Sequence, residues 1–467
     1  MIHYNIYTWI DASLLAYFLL LNGFYVFILL LGFPVLFKRA HEANSEDINQ
    51  LLNSDHLPPI SIIIAAHNEK DIINESIASI FLLDYPHYEL IVANDGSDDG
   101  TLEALIEKYE MVPVPPALPI LLETAPVLGY YRSQKHPNFL LINKEKGGQE
   151  DAVNAGINAS TSPYFLATDA DVIVEPDVLR RLAFPLLTRH NTIGLGGALR
   201  VANGCRIENG EVKEVHLAKG FLARMQTLEY LRGFFFGRIG WNVLGGPFVL
   251  PGAFGLLSKQ AVLDTGGYGR NIPAADIDLT WRMHRKMYEM KKSYNIEYVP
   301  DAVIWTEVPN KYGDLARQRK RWHCSVFDVY WKNRELTFNP RYGRVAFVYL
   351  PYFVLGEGLG PLIEGFAYLY VTFCWIVGVL NLHFVWMFIL ISWGFSFLLS
   401  FISLAMEQVT FKKRMSLKDI FTLVGYTLIE NIGYRQLSVW WRVQGFFRVF
   451  TKNRLYREHP TRHGFKG

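Results

Sequence analysis

Cysteine is nearly absent from this sequence: Cys205, Cys324 and Cys374 lie far apart in a chain of 467 residues. An odd, scattered set builds neither a disulfide framework nor a zinc-binding spacing, and it suits a reducing, cytosol-facing environment. Net charge is nearly absent too, with 46 lysines and arginines against 44 acidic residues. No basic tract is interleaved with aromatics, so nucleic acid is not expected as a partner. The chain does not open like a cleaved signal peptide, because residues 1–11 are not basic and the apolar run after them is too long. What it has in excess is hydrophobicity, 50% of its residues with 15% aromatic, which is rich for a soluble enzyme. The length allows two or three domains.

Residues 13–37 carry no charge and are dominated by Leu and Phe, long enough as a helix to cross a bilayer core. Lys38 and Arg39 follow directly, which predicts an anchor with its C-terminal flank in the cytoplasm and its N-terminus outside. A second apolar run, 345–380, is broken by Glu357, Gly358, Gly360, Pro361 and Glu364. Residues 384–405 form a clean candidate span, and 420–432 is short and holds Glu430. Lys412, Lys413 and Arg414, and the basic tail with Arg448, Lys452, Arg454 and Arg457, belong inside. An inside tail and an inside soluble domain require an even number of crossings after residue 345. Either the first run passes twice or re-enters, or the last segment lies along the interface. Glu357, Glu364 and Glu430 either line an aqueous path or flank helix ends at the headgroups.

Between these segments the pattern is strand, helix, strand, helix, which predicts an α/β domain of the doubly wound kind. Pro58-Pro59 introduces a buried strand at 60–66 that runs into His67-Asn68-Glu69, with a helix at 71–83. The strand at 88–93 ends in Asn94-Asp95-Gly96-Ser97-Asp98-Asp99-Gly100-Thr101, a tight corner that caps the next helix. Residues 111–136 are proline-rich and read as an irregular surface excursion. A strand at 139–143 leads to Lys144-Glu145-Lys146-Gly147-Gly148 and a helix at 149–158. Free N–H groups and the helix dipole there suit a phosphate, although Gly-Gly before a helix is also an ordinary turn. The strand at 164–167 then delivers Asp169 and Asp171 to its C-terminal edge, where ligands bind in open α/β sheets. Such oxygen ligands suit Mg²⁺ or Mn²⁺, yet the same pair also reads as an acidic turn. Gly245-Gly246-Pro247 and the stretch 251–255 suggest close backbone approach. Asp276 falls at a helix start with Leu279, Met283 and Met287 on its buried side. Gln318-Arg319-Lys320-Arg321-Trp322 lies on an amphipathic helix.

In this order the blocks Asn68-Glu69, Asp95-Gly96-Ser97, Asp169-Ala170-Asp171, Asp276-Ile277-Asp278 and Gln318-Arg319-Lys320-Arg321-Trp322 resemble glycosyltransferase family 2. The last is a Q-x-x-R-W box, which narrows the resemblance to membrane-embedded processive synthases of the cellulose, hyaluronan and poly-N-acetylglucosamine type. The resemblance covers residues 58–467. It implies a GT-A nucleotide-sugar domain at 58–335, with an anchor at 1–40 and a linker at 41–57. Membrane and interfacial helices would come next at 336–440, and a basic cytoplasmic tail at 441–467.

The resemblance also implies roles. Asn68, Glu69, Asp95, Asp169, Gln318 and Arg321 would bind the UDP-sugar donor, with Asp95 on the uracil or ribose side. Asp171 would be the more direct ligand of a Mg²⁺ or Mn²⁺, Asp276 the general base, and Trp322 a contact for the acceptor sugar. The implied enzyme sits in the cell inner membrane and extends a β-linked polysaccharide, with accessory secretion proteins as partners. The alternatives are a transferase that decorates a lipid acceptor and a non-catalytic membrane partner. Two departures stand out. Gln149-Glu150 replaces the Lys-Ala of many relatives, with Lys144 and Lys146 nearby. Ala275 stands where relatives often carry an acidic neighbour of the base.

Overall fold

The computed structural model describes residues 2–42, 57–116, 119–270, 272, 274–411 and 413–450. The expected linker at 41–57 and the tail beyond residue 450 lie almost wholly outside them. The chain divides into two compact units. One comprises Val35–His216 and Trp241–Val308; the other comprises the helix up to Pro34, Leu217–Gly240 and the chain from Pro309 onward. The expected 58–335 stretch is thus shared between them.

The first unit is built on a 10-stranded sheet. Its strands are β1 (Ile60–Ala66), β2 (Tyr88–Asp95), β3 (Met111–Val114), β4 (Val127–Ser133), β5 (Phe139–Lys144) and β6 (Tyr164–Asp169), then β7 (Val172–Val174) and β8 (Thr192–Val201). A hairpin of β9 (Arg206–Glu208) and β10 (Glu211–Glu214) stands apart, and β11 (Gly255–Ser258) and β12 (Asn295–Thr306) complete the sheet. The order is β3-β4-β5-β2-β1-β6-β11-β8-β12-β7. The block β5-β2-β1-β6 is parallel, so its four C-terminal ends lie side by side. These strands are continuous runs of Ile, Val, Leu and Ala because they are covered on both faces. Ile63, Ile91, Ile142 and Phe165 share a core with Ala152, Val153 and Ile157 of the Gln149–Ala159 helix and Leu279, Met283 and Met287 of the Ala275–Glu289 helix. The buried stripe expected for the second helix is therefore present. Gly156 lets the first helix lie against β1, since a Cβ there would stand 2.4 Å from Ile63 Cγ2.

The expectation for 111–136 needs correction. Instead of an irregular excursion, β3 and β4 form an antiparallel pair that extends the sheet from β5. Pro113 is tolerated because β3 is the edge strand, where a missing N–H breaks no ladder.

In the second unit, the Ile2–Glu42 helix, Val345–Val377 and Leu382–Thr410 contain windows long and apolar enough to cross a membrane. Among the described residues, two of these lie from residue 345 onward. The Leu417–Ile429 helix, only 13 residues long, is shorter than a span. Leu14 and Phe18 share a core with Ala367, Tyr370, Phe384 and Phe388. Two carboxylates are tied up as ion pairs within the unit: Glu430 with Arg232 at 2.6 Å and Glu364 with Arg435 at 2.6 Å. Tyr368 donates to Glu364 at 2.5 Å, and Tyr352 donates to Glu357 at 3.4 Å. Pairing of this sort offsets the cost of a carboxylate in apolar surroundings. Arg232 lies in a π-helical stretch, Leu231–Phe236, and two more occur at Val345–Tyr349 and Phe353–Gly358.

Candidate active site

The C-terminal ends of β2, β5 and β6 carry Asp95, Lys144 and Asp169. Asp95 ends β2 and is only 3% exposed. Its Oδ1 accepts from Lys144 Nζ at 2.6 Å and from the Gly147 N–H at 2.8 Å, and its Oδ2 accepts from the Gly148 N–H at 2.8 Å. Gly148 needs its freedom here, with φ +100°. Lys144 also pairs with Asp151 at 2.7 Å, and Asp151 pairs with Arg270 at 2.8 Å. Two carboxylates and two cations thus balance. Gly147 makes room for them: a Cβ there would stand 2.4 Å from Asp151 Oδ1.

Asn68 has a positive φ of 58° and forms a reciprocal pair with Asp98. Its Nδ2 donates to Asp98 Oδ1 at 2.6 Å, and its Oδ1 accepts from the Asp98 N–H at 2.9 Å. Glu69 is buried, and its N–H donates to Thr101 Oγ1 at 3.1 Å. These contacts fasten the end of β1 to the loop after β2.

Asp169 is the last residue of β6, and Asp171 lies buried in the turn before β7. Gln149 Nε2 donates to Asp169 Oδ1 at 2.5 Å. Among the described residues no three carboxylate, imidazole or thiol side chains converge on a metal position. Two carboxylates one residue apart do fit a cation such as Mg²⁺ or Mn²⁺, which takes one or two of them and fills its sphere with water and substrate phosphate.

Asp276 sits in the first turn of the Ala275–Glu289 helix. Gly252 lies against it, since a Cβ at Gly252 would be 3.1 Å from Asp276 Oδ2. Burial, and then the charges of Asp276, Glu150 and Asp169, push the Tyr268 phenol well above the usual range. The Tyr268 N–H donates to Asn154 Oδ1 and its carbonyl accepts from Asn154 Nδ2, both at 2.9 Å. This pins the Gly266-Gly267 turn to the Gln149–Ala159 helix. No local pattern singles out Asn154, and Tyr268 is marked only by the Gly266-Gly267 pair before it.

Gln318, Arg321 and Trp322 fall in the second unit, on the Tyr312–Lys332 helix. Gln318 Oε1 is buried without a hydrogen-bond partner among the described residues. Trp322 meets Phe234 edge to face at 6.0 Å, and Arg319 lies 4.7 Å over its ring. Arg319 itself pairs with Glu229 at 2.5 Å. Trp322 is therefore held against a buried arginine that the motif leaves unspecified.

Residues 164–410, more than half of the chain, match the profile described as glycosyl transferase family group 2, and residues 61–114 match glycosyl transferase family 2. Among curated proteins, the poly-beta-1,6-N-acetyl-D-glucosamine synthase of Staphylococcus aureus strain MSSA476 is 27% identical over 272 residues, 58% of this chain and 55% of that one. The synthase of the same name from Staphylococcus epidermidis is 27% identical over 275 residues, 58% of this chain and 56% of that one. The chain thus spans about half the length of the curated relatives it matches. Among solved structures, the mannosyltransferase PcManGT of Pyrobaculum calidifontis, in complex with GDP-Man and Mn²⁺, matches with a TM-score of 0.51 and 14% identity. It covers 93% of this chain and 99% of its own, a likeness of fold alone. With a mixed α/β sheet of this order and a profile match over most of it, the chain belongs to glycosyl transferase family group 2 and is a glycosyltransferase.

Proposed function

We propose that this glycosyltransferase moves a sugar, N-acetylglucosamine first among candidates, from its UDP donor onto the end of a growing β-linked polysaccharide. The observation that carries the reading is the placement of Asp95, Lys144 and Asp169 at the adjacent C-terminal ends of the parallel strands β2, β5 and β6, with Asp171 in the turn that follows. The name shared by the staphylococcal relatives supports the polymer and the sugar. The membrane-capable helices among the described residues support a membrane location, and the basic flanks Lys38-Arg39 and Lys412-Lys413-Arg414 support a catalytic unit on the cytoplasmic side of the cell inner membrane.

The chemistry rests on the residues. Asp276 accepts the proton of the attacking acceptor hydroxyl, which approaches the anomeric carbon opposite the departing diphosphate and inverts it. Asp169 and Asp171 would hold a divalent cation, as the Mn²⁺ beside GDP-Man in the archaeal mannosyltransferase suggests. When bound there, such an ion would supply charge neutralisation at the leaving phosphate. Asp169 keeps its orientation through Gln149. Gln318 and Arg321 would supply hydrogen-bond donors of the kind a diphosphate takes, and Trp322 a flat apolar face of the kind a pyranose takes. Retention of the product during successive additions would make the enzyme processive.

The test is turnover by the purified full-length protein in detergent, with Mn²⁺ or Mg²⁺ and a panel of radiolabelled UDP-sugars. Long polymer labelled from UDP-N-acetylglucosamine, lost in Asp276→Asn and Trp322→Ala, is the expected result. A single labelled sugar on a lipid would overturn processive synthesis.

A further inference from the structure

The Ala275–Glu289 helix, which carries Asp276, starts without a capping side chain: Ala274 precedes it and has no side-chain acceptor for the first N–H groups. Its first turn is held from below instead. Asp278 is 2% exposed, and its Oδ2 accepts from Arg282 Nε at 2.7 Å. The rest of that guanidinium reaches off the helix. Nη1 donates to the Thr265 carbonyl at 2.8 Å, and Nη2 donates to the Gly267 carbonyl at 2.9 Å. Three bonds from one rigid plane leave the arginine a single orientation.

The turn that receives Arg282 is itself fixed on two sides. It closes the Lys259–Asp264 helix, with the Gly267 N–H on the Val262 carbonyl at 3.0 Å. Asn154, 2% exposed on the Gln149–Ala159 helix, holds Tyr268 by both of its backbone groups. Only glycine fits at 267, where φ is +78° and a Cβ would stand 2.8 Å from Asn154 Oδ1. Asp276 meets backbone as well: a Cβ at Gly252 would lie 3.1 Å from its Oδ2 and 3.3 Å from its Cγ. The two acids of Asp276-Ile277-Asp278 are therefore unlike. Asp278 is buried and bound to Arg282, whereas Asp276 is partly exposed.

Resting on the reading of Asp276 as the proton acceptor, we infer that Arg282 is its positioning residue, acting through Asp278 and the Gly266-Gly267 turn. An uncapped helix start frays unless something else holds it, and a general base works only within hydrogen-bond reach of the proton it takes. A misplacement of about 1 Å costs on the order of a hundredfold in rate. Arg282 follows Asp276 by about 9 Å of helix, so its effect passes through the fold and not through the reacting atoms. Lysine is no substitute: an ammonium keeps the charge beside Asp278 but lacks the fork that reaches both carbonyls.

The experiment is a double-mutant cycle on the full-length protein in detergent and Mn²⁺, read as initial rates of UDP release from UDP-N-acetylglucosamine. It compares the wild type with Arg282→Lys, Asp276→Asn and the double variant, with an unfolding midpoint for each. Arg282→Lys is expected to keep the midpoint and the donor KM and to lose kcat roughly ten- to hundredfold. In the Asp276→Asn background the same change should cost nothing further, because no base remains to be placed. Asn154→Ala, which frees the turn from its other side, repeats the cycle without touching the guanidinium, and the same silence in the Asp276→Asn background is expected. Unchanged kcat in Arg282→Lys overturns the inference. Losses that multiply in the double variant overturn it too, since the arginine would then act elsewhere, and so does a donor KM raised as far as kcat is lowered. Wild-type kcat in Asp276→Asn overturns the base reading itself, on which the assignment rests.

Discussion

Lys144 Nζ lies 2.6 Å from Asp95 and 2.7 Å from Asp151, wholly out of contact with water. One ammonium therefore keeps two buried carboxylates from facing each other, and it does so at the base of the glycine corner. Replacing it by methionine removes the charge and retains most of the volume. We expect Lys144→Met to cost about 3–5 kcal/mol of stability, the typical loss when one partner of a buried pair is removed. Thermal unfolding in detergent measures this. Adding Asp95→Asn to that variant should recover part of the loss.

Gln149 places a neutral amide on Asp169. A lysine at the same place would bring an ammonium to the carboxylate and compete with a divalent cation. We expect Gln149→Lys to raise the Mn²⁺ concentration needed for half-maximal activity by roughly tenfold. An unaltered Mn²⁺ titration would argue that Asp169 does not share in cation binding.

Asp276 and Gly252 offer paired tests of the proposed general base. Asp276→Asn keeps the shape and removes the proton acceptor, so kcat should fall by about 10²–10⁴ while nucleotide affinity stays. Gly252→Ala adds a methyl 3.1 Å from Asp276 Oδ2, which must displace the carboxylate by a few tenths of an ångström. Steady-state kinetics should register a smaller drop in kcat with donor KM little changed.

His284 gives the catalytic unit a pH dependence. It lies on the helix that begins beside Asp276, its Nδ1 2.7 Å from the Tyr294 hydroxyl, and burial lowers its pKa from 6.5 to about 4. Below pH 6.5 the unfolded chain takes up a proton that the folded one refuses. Stability is therefore lost as pH falls from 6.5 toward 4 and is fully present above that window. The contribution at the acid end is about 3 kcal/mol. Unfolding midpoints measured from pH 4 to 8 should rise through this window, and His284→Gln should flatten the rise.

The pair of Glu430 and Arg232 supports the membrane-associated unit. Glu430→Gln leaves the arginine among Ser396, Ser400 and apolar neighbours without its counter-charge. We expect a loss of about 3 kcal/mol, read as a lower unfolding midpoint in detergent. The double variant Glu430→Leu with Arg232→Leu should be more stable than Glu430→Gln alone.

The parallel heart of the sheet was legible because β1, β2, β5 and β6 are uninterrupted β-branched and aliphatic runs. Their boundaries fall within a residue or two of the expected ones. The buried stripe Leu279, Met283 and Met287 was equally plain from its spacing. Proline density hid β3 and β4, since only sheet order reveals that Pro113 is on an edge. Lys144 and Lys146 look alike in the sequence. What buries the first is the missing side chain of Gly147, which admits Asp151. Pairings such as Asn154 with Tyr268 or Arg232 with Glu430 join residues separated by 114 and 198 positions. No local pattern announces them.

The widened turn at Phe353–Gly358 sets the rotation of the helix C-terminal to it, Gly360–Val377. A π turn holds one residue more than an α turn, and each residue advances an α-helix by about 100°. Loss of one residue from that stretch would tighten the turn and rotate Glu364 about 100° away from Arg435 while the rest of the sequence stayed the same. The helix is therefore more tolerant of exchanging residues in this stretch than of dropping one, and its length there is fixed by a charge farther along the chain.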